Sequence, residues 1–134
     1  MAIDGLTTIK SGLGPKDTTD RLAAEVTSRG MSVFARIDHS AGAASIGMPL
    51  RPTEVLIFGN AKGGTPLMQV DQTVGIDLPL KALVWEGADG KTWLSYNEPR
   101  WIAARHGLVT SQPHLVDALA AAVAAIAQKA AQQP

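Results

Sequence analysis

Leu80-Lys81-Ala82-Leu83-Val84-Trp85-Glu86-Gly87-Ala88-Asp89-Gly90-Lys91-Thr92-Trp93-Leu94-Ser95-Tyr96 reads as two β-prone runs joined by a glycine-flanked turn. Its Asp89-Gly90 pair is a strong hairpin signal, because both residues tolerate the positive φ that a tight turn demands. Leu80 to Glu86 and Thr92 to Tyr96 are therefore expected as neighbouring antiparallel strands. Trp85 and Trp93 fall where two indoles can stack across that pair.

Upstream of the hairpin, Leu6 to Lys10 suits a first strand and Gly12-Leu13-Gly14-Pro15 breaks it. From Asp17, read as an N-cap, Thr19, Leu22, Ala23 and Val26 share one helical face, and Gly30 stops the helix. Met31 to Asp38 alternates apolar and polar residues, the pattern of a strand with one core face. His39 to Leu50, rich in small residues, is a short helix or an ordered loop; Thr53 to Phe58 is a buried strand ended by Gly59. Thr65-Pro66 reads as an N-cap and an N1 proline opening a short helix. Downstream of the hairpin, Asn97 reads as the cap of a helix opened by Pro99 and closed by Gly107. A last helix from Pro113 carries a stripe of Leu115, Leu119, Ala122 and Ile126. Strands cluster instead of alternating strictly with helices. The expected fold is α+β, a single domain over residues 1–134 with a five-stranded, mostly antiparallel sheet and packed helices.

With 134 residues, 46% of them hydrophobic and 18% charged, the chain can build a real core. Twelve basic and twelve acidic residues remove the usual electrostatic reason to expect nucleic acid or an anionic membrane. The absence of cysteine excludes disulfides, thiolate nucleophiles and Cys-ligated metal sites. Met1-Ala2-Ile3-Asp4-Gly5 has neither a basic nor an apolar signal region. The longest uncharged apolar run, Ala118 to Ala127, spans roughly 15 Å as a helix against a bilayer core of about 30 Å. A cytoplasmic protein without a membrane partner is the expectation.

Five stretches together carry a family resemblance: Ile37-Asp38-His39 with Ala41, Phe58-Gly59-Asn60-Ala61-Lys62-Gly63-Gly64-Thr65-Pro66-Leu67-Met68, Asp77-Leu78-Pro79-Leu80-Lys81, Val84-Trp85-Glu86, and Ser95-Tyr96-Asn97-Glu98-Pro99 continuing to Arg105-His106. The chain resembles the bacterial and archaeal domain of unknown function 302 family over roughly Thr7 to Leu108. The resemblance implies a β-α-β(4)-α fold of the TATA-box-binding-protein-like class and a homodimer. It implies no particular chemistry, because the family has no settled activity. Ala61 departs from the proline that members often carry there, and the Ala-rich helix at about 113–131 lies beyond the matched core.

Candidate site residues fall into two sets. Between a strand end at Gly59 and a helix start, Asn60, Lys62, Gly63, Gly64 and Thr65 form either a tight capped connection or a cradle for an anion or carboxylate. The run is not a Walker A loop, since Lys62 precedes the glycine pair. His39, Glu86 and His106 form the second set, in which an enzyme would use His39 as general base or metal ligand. No metal-binding histidine spacing is present, and the residues name no cofactor. Lys81 and Glu86 bracket one strand and suggest an ion pair within the sheet or the flanks of a cleft. The first functional expectation is a small-molecule binding module for an anionic or carboxylate ligand. The alternatives are the His39 enzyme and an adaptor that uses the tryptophans for contacts.

Overall fold

The computed structural model describes residues 2–132. Five strands, β1 (Leu6–Lys10), β2 (Ser32–Asp38), β3 (Thr53–Gly59), β4 (Leu80–Glu86) and β5 (Thr92–Asn97), form one antiparallel sheet in the order β1-β5-β4-β3-β2. Five helices connect or flank them: α1 (Pro15–Ser28), α2 (His39–Ser45), α3 (Ala61–Val70), α4 (Pro99–Arg105) and α5 (Pro113–Ala131). A 3-10 turn at Gln72–Ile76 follows α3. With the short α2, α3 and α4 set aside, the order is the β-α-β(4)-α that the resemblance implies.

Period-two alternation puts Leu56, Phe58, Leu80, Ala82, Val84, Leu94 and Tyr96 on one face of the sheet. There they pack against Leu22 and Val26 of α1 and against Val123, Ile126, Ala127 and Ala130 of α5. The alanines let α5 lie close to α1, and the buried Ser11 and Thr18 hydroxyls pair at 2.6 Å beneath them. A second apolar cluster, Leu67, Val74, Ile102, Ala103, Leu108 and Val116, forms where α3, α4 and the start of α5 meet. Leu78 and Leu119 pack against both clusters, so the space between them lies at the Gly59 end of the sheet.

Several helix boundaries differ from the sequence expectation. Helix α1 begins at Pro15 after Gly14, and Asp17 lies inside its first turn, where its charge complements the dipole. Glu98, not Asn97, precedes α4; its carboxylate accepts the Thr7 hydroxyl at 2.6 Å, which ties the helix to β1. Helix α5 runs beyond the ten-residue uncharged stretch to 19 residues, and by length and composition alone it could cross a membrane. In the fold, seven of its residues are buried, from Val116 to Ala131, as in a core helix of the domain.

Candidate functional site

The site begins with the way β3 becomes a helix. Asn60 takes extended backbone angles (φ −152°, ψ 159°) and its Oδ1 accepts the Gly63 N–H at 2.7 Å, an N-cap bond. The Gly64 N–H then closes the first turn on the Asn60 carbonyl at 3.2 Å. The helix thus starts at Ala61, and the expected start at Thr65-Pro66 is corrected: both residues lie inside α3. The local signal misled because two glycines are poor helix formers, and packing against Leu119 and Leu78 overrides that preference.

Beside this helix lies a pocket of about 260 Å³. Phe34 of β2, Met68 of α3, Leu78, Leu80 of β4 and Leu119 of α5 make its apolar wall, while Asn60 and Thr65 supply polar groups. The glycines make the space: a Cβ on Gly64 would stand 3.5 Å from both the Leu78 and Met68 side chains. Gly63 is tighter, since a Cβ there would come within 3.1 Å of the Asn60 Oδ1 that caps the helix. Asn60, Gly63, Gly64 and Thr65 therefore line one hollow. Lys62 is exposed and outside its wall. Asn60 Oδ1 is already engaged by Gly63, so what the cap leaves to a ligand is its NH2 group.

The sheet register puts His39 and Glu86 at one end, two strands apart, and His106 at the other, so the three do not form one cluster. The β2–β3 register pairs Ser32 with Gly59 and Asp38 with Glu54, six residues further along, or roughly 20 Å at the usual rise. His39, exposed at the start of α2, is thus at the opposite end of the sheet from the pocket. Its neighbour Asp38 caps α2 through the Ala41 N–H at 2.9 Å, and the Ser40 hydroxyl, followed by that amide, holds the Asp38 carboxyl below the usual range. Glu86 ends β4 with its backbone engaged by Pro52 and Arg51. The expected Lys81–Glu86 pair fails on parity: five positions apart on one strand, the two side chains leave opposite faces of the sheet.

His106 belongs to another cluster. Its Nε2 lies 2.6 Å from Asp77 Oδ2 and its Nδ1 2.9 Å from Thr73 Oγ1, with the side chain only 8% exposed. Arg105 donates to both oxygens of Asp77 at 3.0 Å. Asp71 accepts the Thr73 hydroxyl and amide, which hold its carboxyl below the usual range. This network clamps the 3-10 turn to the end of α4 and fixes the chain immediately before Leu78 in the pocket wall. The sequence reading did not single out Asp77 as a site residue; its place in one of the five shared stretches was the only signal. Among the described residues, no three histidine, aspartate or glutamate side chains converge as a metal site.

The chain matches the family model described as domain of unknown function DUF302 over residues 7–129, a span that takes in most of α5. A crystal structure of an uncharacterized conserved DUF302 protein from Bacillus stearothermophilus superposes with a TM-score of 0.81 at 18% identity, covering 96% of this chain and 99% of that one. At that identity the likeness shows the fold. Curated relatives in Brucella suis biovar 1 (strain 1330) and Brucella abortus biovar 1 (strain 9-941), both named fluoride-specific ion channel FluC 1, are 45% identical over 127 residues. The match covers 95% of this chain but 50% and 47% of theirs, so the chain spans about half the length of these relatives. The family match over nearly the whole chain and the shared fold agree, and the chain belongs to the DUF302 family.

Proposed function

We propose that the protein is a small-molecule binding module whose ligand joins an apolar body to one carboxylate or other anionic end. The pocket of about 260 Å³ beside α3 carries this reading. It is near the lower bound of ordinary ligand sites, which run from roughly 300 Å³ upward, and suits a short ligand. Burial against Phe34, Met68, Leu78 and Leu119 would supply affinity at about 25 cal/mol per Å² of apolar surface. The polar end would meet the Asn60 NH2 group and the Thr65 hydroxyl at the positive end of the α3 dipole, where the Gly63 and Gly64 amides are already engaged by Asn60. The enzyme reading built on His39 has no comparable support, because His39 and the pocket occupy opposite ends of the sheet.

The relatives named as fluoride channels bear on context. In this reading the matching half of those proteins is a folded domain attached to a channel-forming remainder, since α5 has its buried side committed to the core. We keep the domain on the cytoplasmic side, consistent with a chain free of cysteine.

Thermal unfolding with butanoate, hexanoate and octanoate tests the proposal, because a ligand that binds the native state raises its stability by mass action. The midpoint should climb with chain length, while sodium fluoride and inorganic phosphate at matched ionic strength should leave it unchanged. Gly64→Leu should fill the hollow and abolish the shift. Gly64→Ala should weaken it while adding roughly 0.5–1 kcal/mol of stability, as alanine replaces glycine inside a helix. Absence of a shift with every carboxylate, or a full shift in Gly64→Leu, contradicts the reading.

A further inference from the structure

The chain has two phenylalanines, and the fold uses them differently. Phe58 is 1% exposed in the core, whereas Phe34 is 57% exposed and forms part of the pocket wall. The ladder register explains how it gets there. Val33 pairs with Phe58 and Ala35 with Ile57, which leaves Phe34 as the extra residue of a β-bulge on the edge strand β2. A bulge bends its strand and re-aims a side chain out of the regular alternation. Here the ring reaches the end of β3: a Cβ on Gly59 would stand 3.8 Å from Phe34 Cε2 and 3.7 Å from Pro79 Cβ. Phe34 and Pro79 thus border one stretch of backbone that carries no side chain.

Two thioethers, Met31 and Met68, also line the pocket. Met68 is seated by glycines on two elements. A Cβ on Gly75 of the 3-10 turn would come within 3.2 Å of its Sδ, and one on Gly64 of α3 within 3.5 Å of its Cε. A larger residue at Gly75 would push the thioether aside. Thioether sulfur is polarizable and contacts aromatic rings favourably at about 5 Å. Gly63 and Gly64 leave their side of α3 flat, a surface that a planar ring covers more closely than a puckered one. Size agrees as well, since an apolar cavity of roughly 150 Å³ takes up benzene. The 260 Å³ here leaves space for a ring, a short link and a carboxylate.

We propose that the apolar body of the ligand is an aromatic ring, so that the pocket selects short arylalkanoic acids over saturated acids of the same size. This rests on the binding-module reading of the same pocket and narrows its ligand class. The ring lies against Phe34, in the offset or edge-to-face arrangement that aromatic pairs prefer, and within contact of the Met31 and Met68 thioethers. The carboxylate meets the Asn60 NH2 group and the Thr65 hydroxyl, as for any acid in this site. Phe34 is the residue that sets the preference. The fold leaves its ring more than half exposed, and an aromatic ligand covers it with a matching surface.

Dissociation constants of phenylacetate and cyclohexylacetate, measured by calorimetry on the whole chain, test the inference. The two acids share a carbon count and a carboxylate, but only the first has a π face. The saturated ring is the more hydrophobic, so burial alone would favour it. Phenylacetate should nevertheless bind roughly 2- to 12-fold more tightly. Phe34→Leu, a change at an exposed position, should bring the two constants within about twofold of each other. Hexanoate keeps the two readings apart. If it binds while cyclohexylacetate matches or exceeds phenylacetate, the aromatic preference is overturned and the binding module stands. If none of the three acids binds, both fall. A phenylacetate preference that survives undiminished in Phe34→Leu also overturns the inference.

Discussion

The two ends of strand β3 hold opposite kinds of structure. At Gly59 the chain turns directly into α3, two apolar clusters meet through Leu78 and Leu119, and the Asp77–His106–Thr73 network locks the wall of a pocket. At Thr53 the neighbouring connection is open to solvent, with His39 exposed, Ile46 71% exposed and Met48 60% exposed. Both ends carry short polar signatures, Asn60 to Thr65 at one and Asp38-His39 at the other. Both use an Asx side chain to cap a helix, Asn60 for α3 and Asp38 for α2. What separates them is depth of packing. A capped helix becomes part of a binding hollow only where other elements close over it.

The sharpest way to break this contrast is to cut the network at the packed end. His106→Ala removes hydrogen bonds to Asp77 and Thr73, one of them to a charged group, and should cost roughly 1.5–3 kcal/mol in urea unfolding. Asn60→Ala should cost about 1 kcal/mol as a lost N-cap and should also weaken carboxylate binding. Acid unfolding compares the caps of two elements directly. The Asp71 carboxyl, held low by the Thr73 hydroxyl, and the Asp38 carboxyl, held low by the Ser40 hydroxyl, each add stability that is present above the unfolded value near 3.9. That stability fades as the pH falls through the lower folded value. Relative to wild type, Asp71→Asn and Asp38→Asn should therefore lose stability at pH 6 and converge with it in acid. The smallest effect is expected for His39→Ala, within about 0.5 kcal/mol and with ligand binding unchanged, as for an exposed side chain outside any network.

The elements were legible wherever a local pattern decided them. Asp89-Gly90 placed the β4–β5 hairpin, and Gly90 does adopt a positive φ of 80°. Trp85 and Trp93 stack across it as their cross-strand positions suggested. The five strands followed from the same punctuation, while the β-α-β(4)-α order came from the family resemblance. The segment of the candidate site was legible too, but not its form. Thr65-Pro66 has the look of a helix start, whereas the real cap at Asn60 is followed by glycines whose cost is offset by contacts from α5 and the Leu78 segment, remote in sequence. The pairing of Asp77 with His106 spans 29 positions and leaves no periodic trace. His106 stands apart from His39 and Glu86 because of the register: Asp38 is level with Glu54 and Val84, close to Glu86, whereas His106 is bonded to Asp77, ahead of Leu80, which is level with Phe58 at the other end of the sheet.

Chemical-shift mapping of the labelled protein titrated with hexanoate tests the central claim most directly, because it reads both ends of β3 in one experiment. The account predicts saturable shifts at the amides of Asn60, Gly63, Gly64, Thr65 and Leu119, with Ser40, Ala41 and Ala43 unmoved. Shifts centred on α2 and His39, or no saturable shifts at any amide, would contradict it.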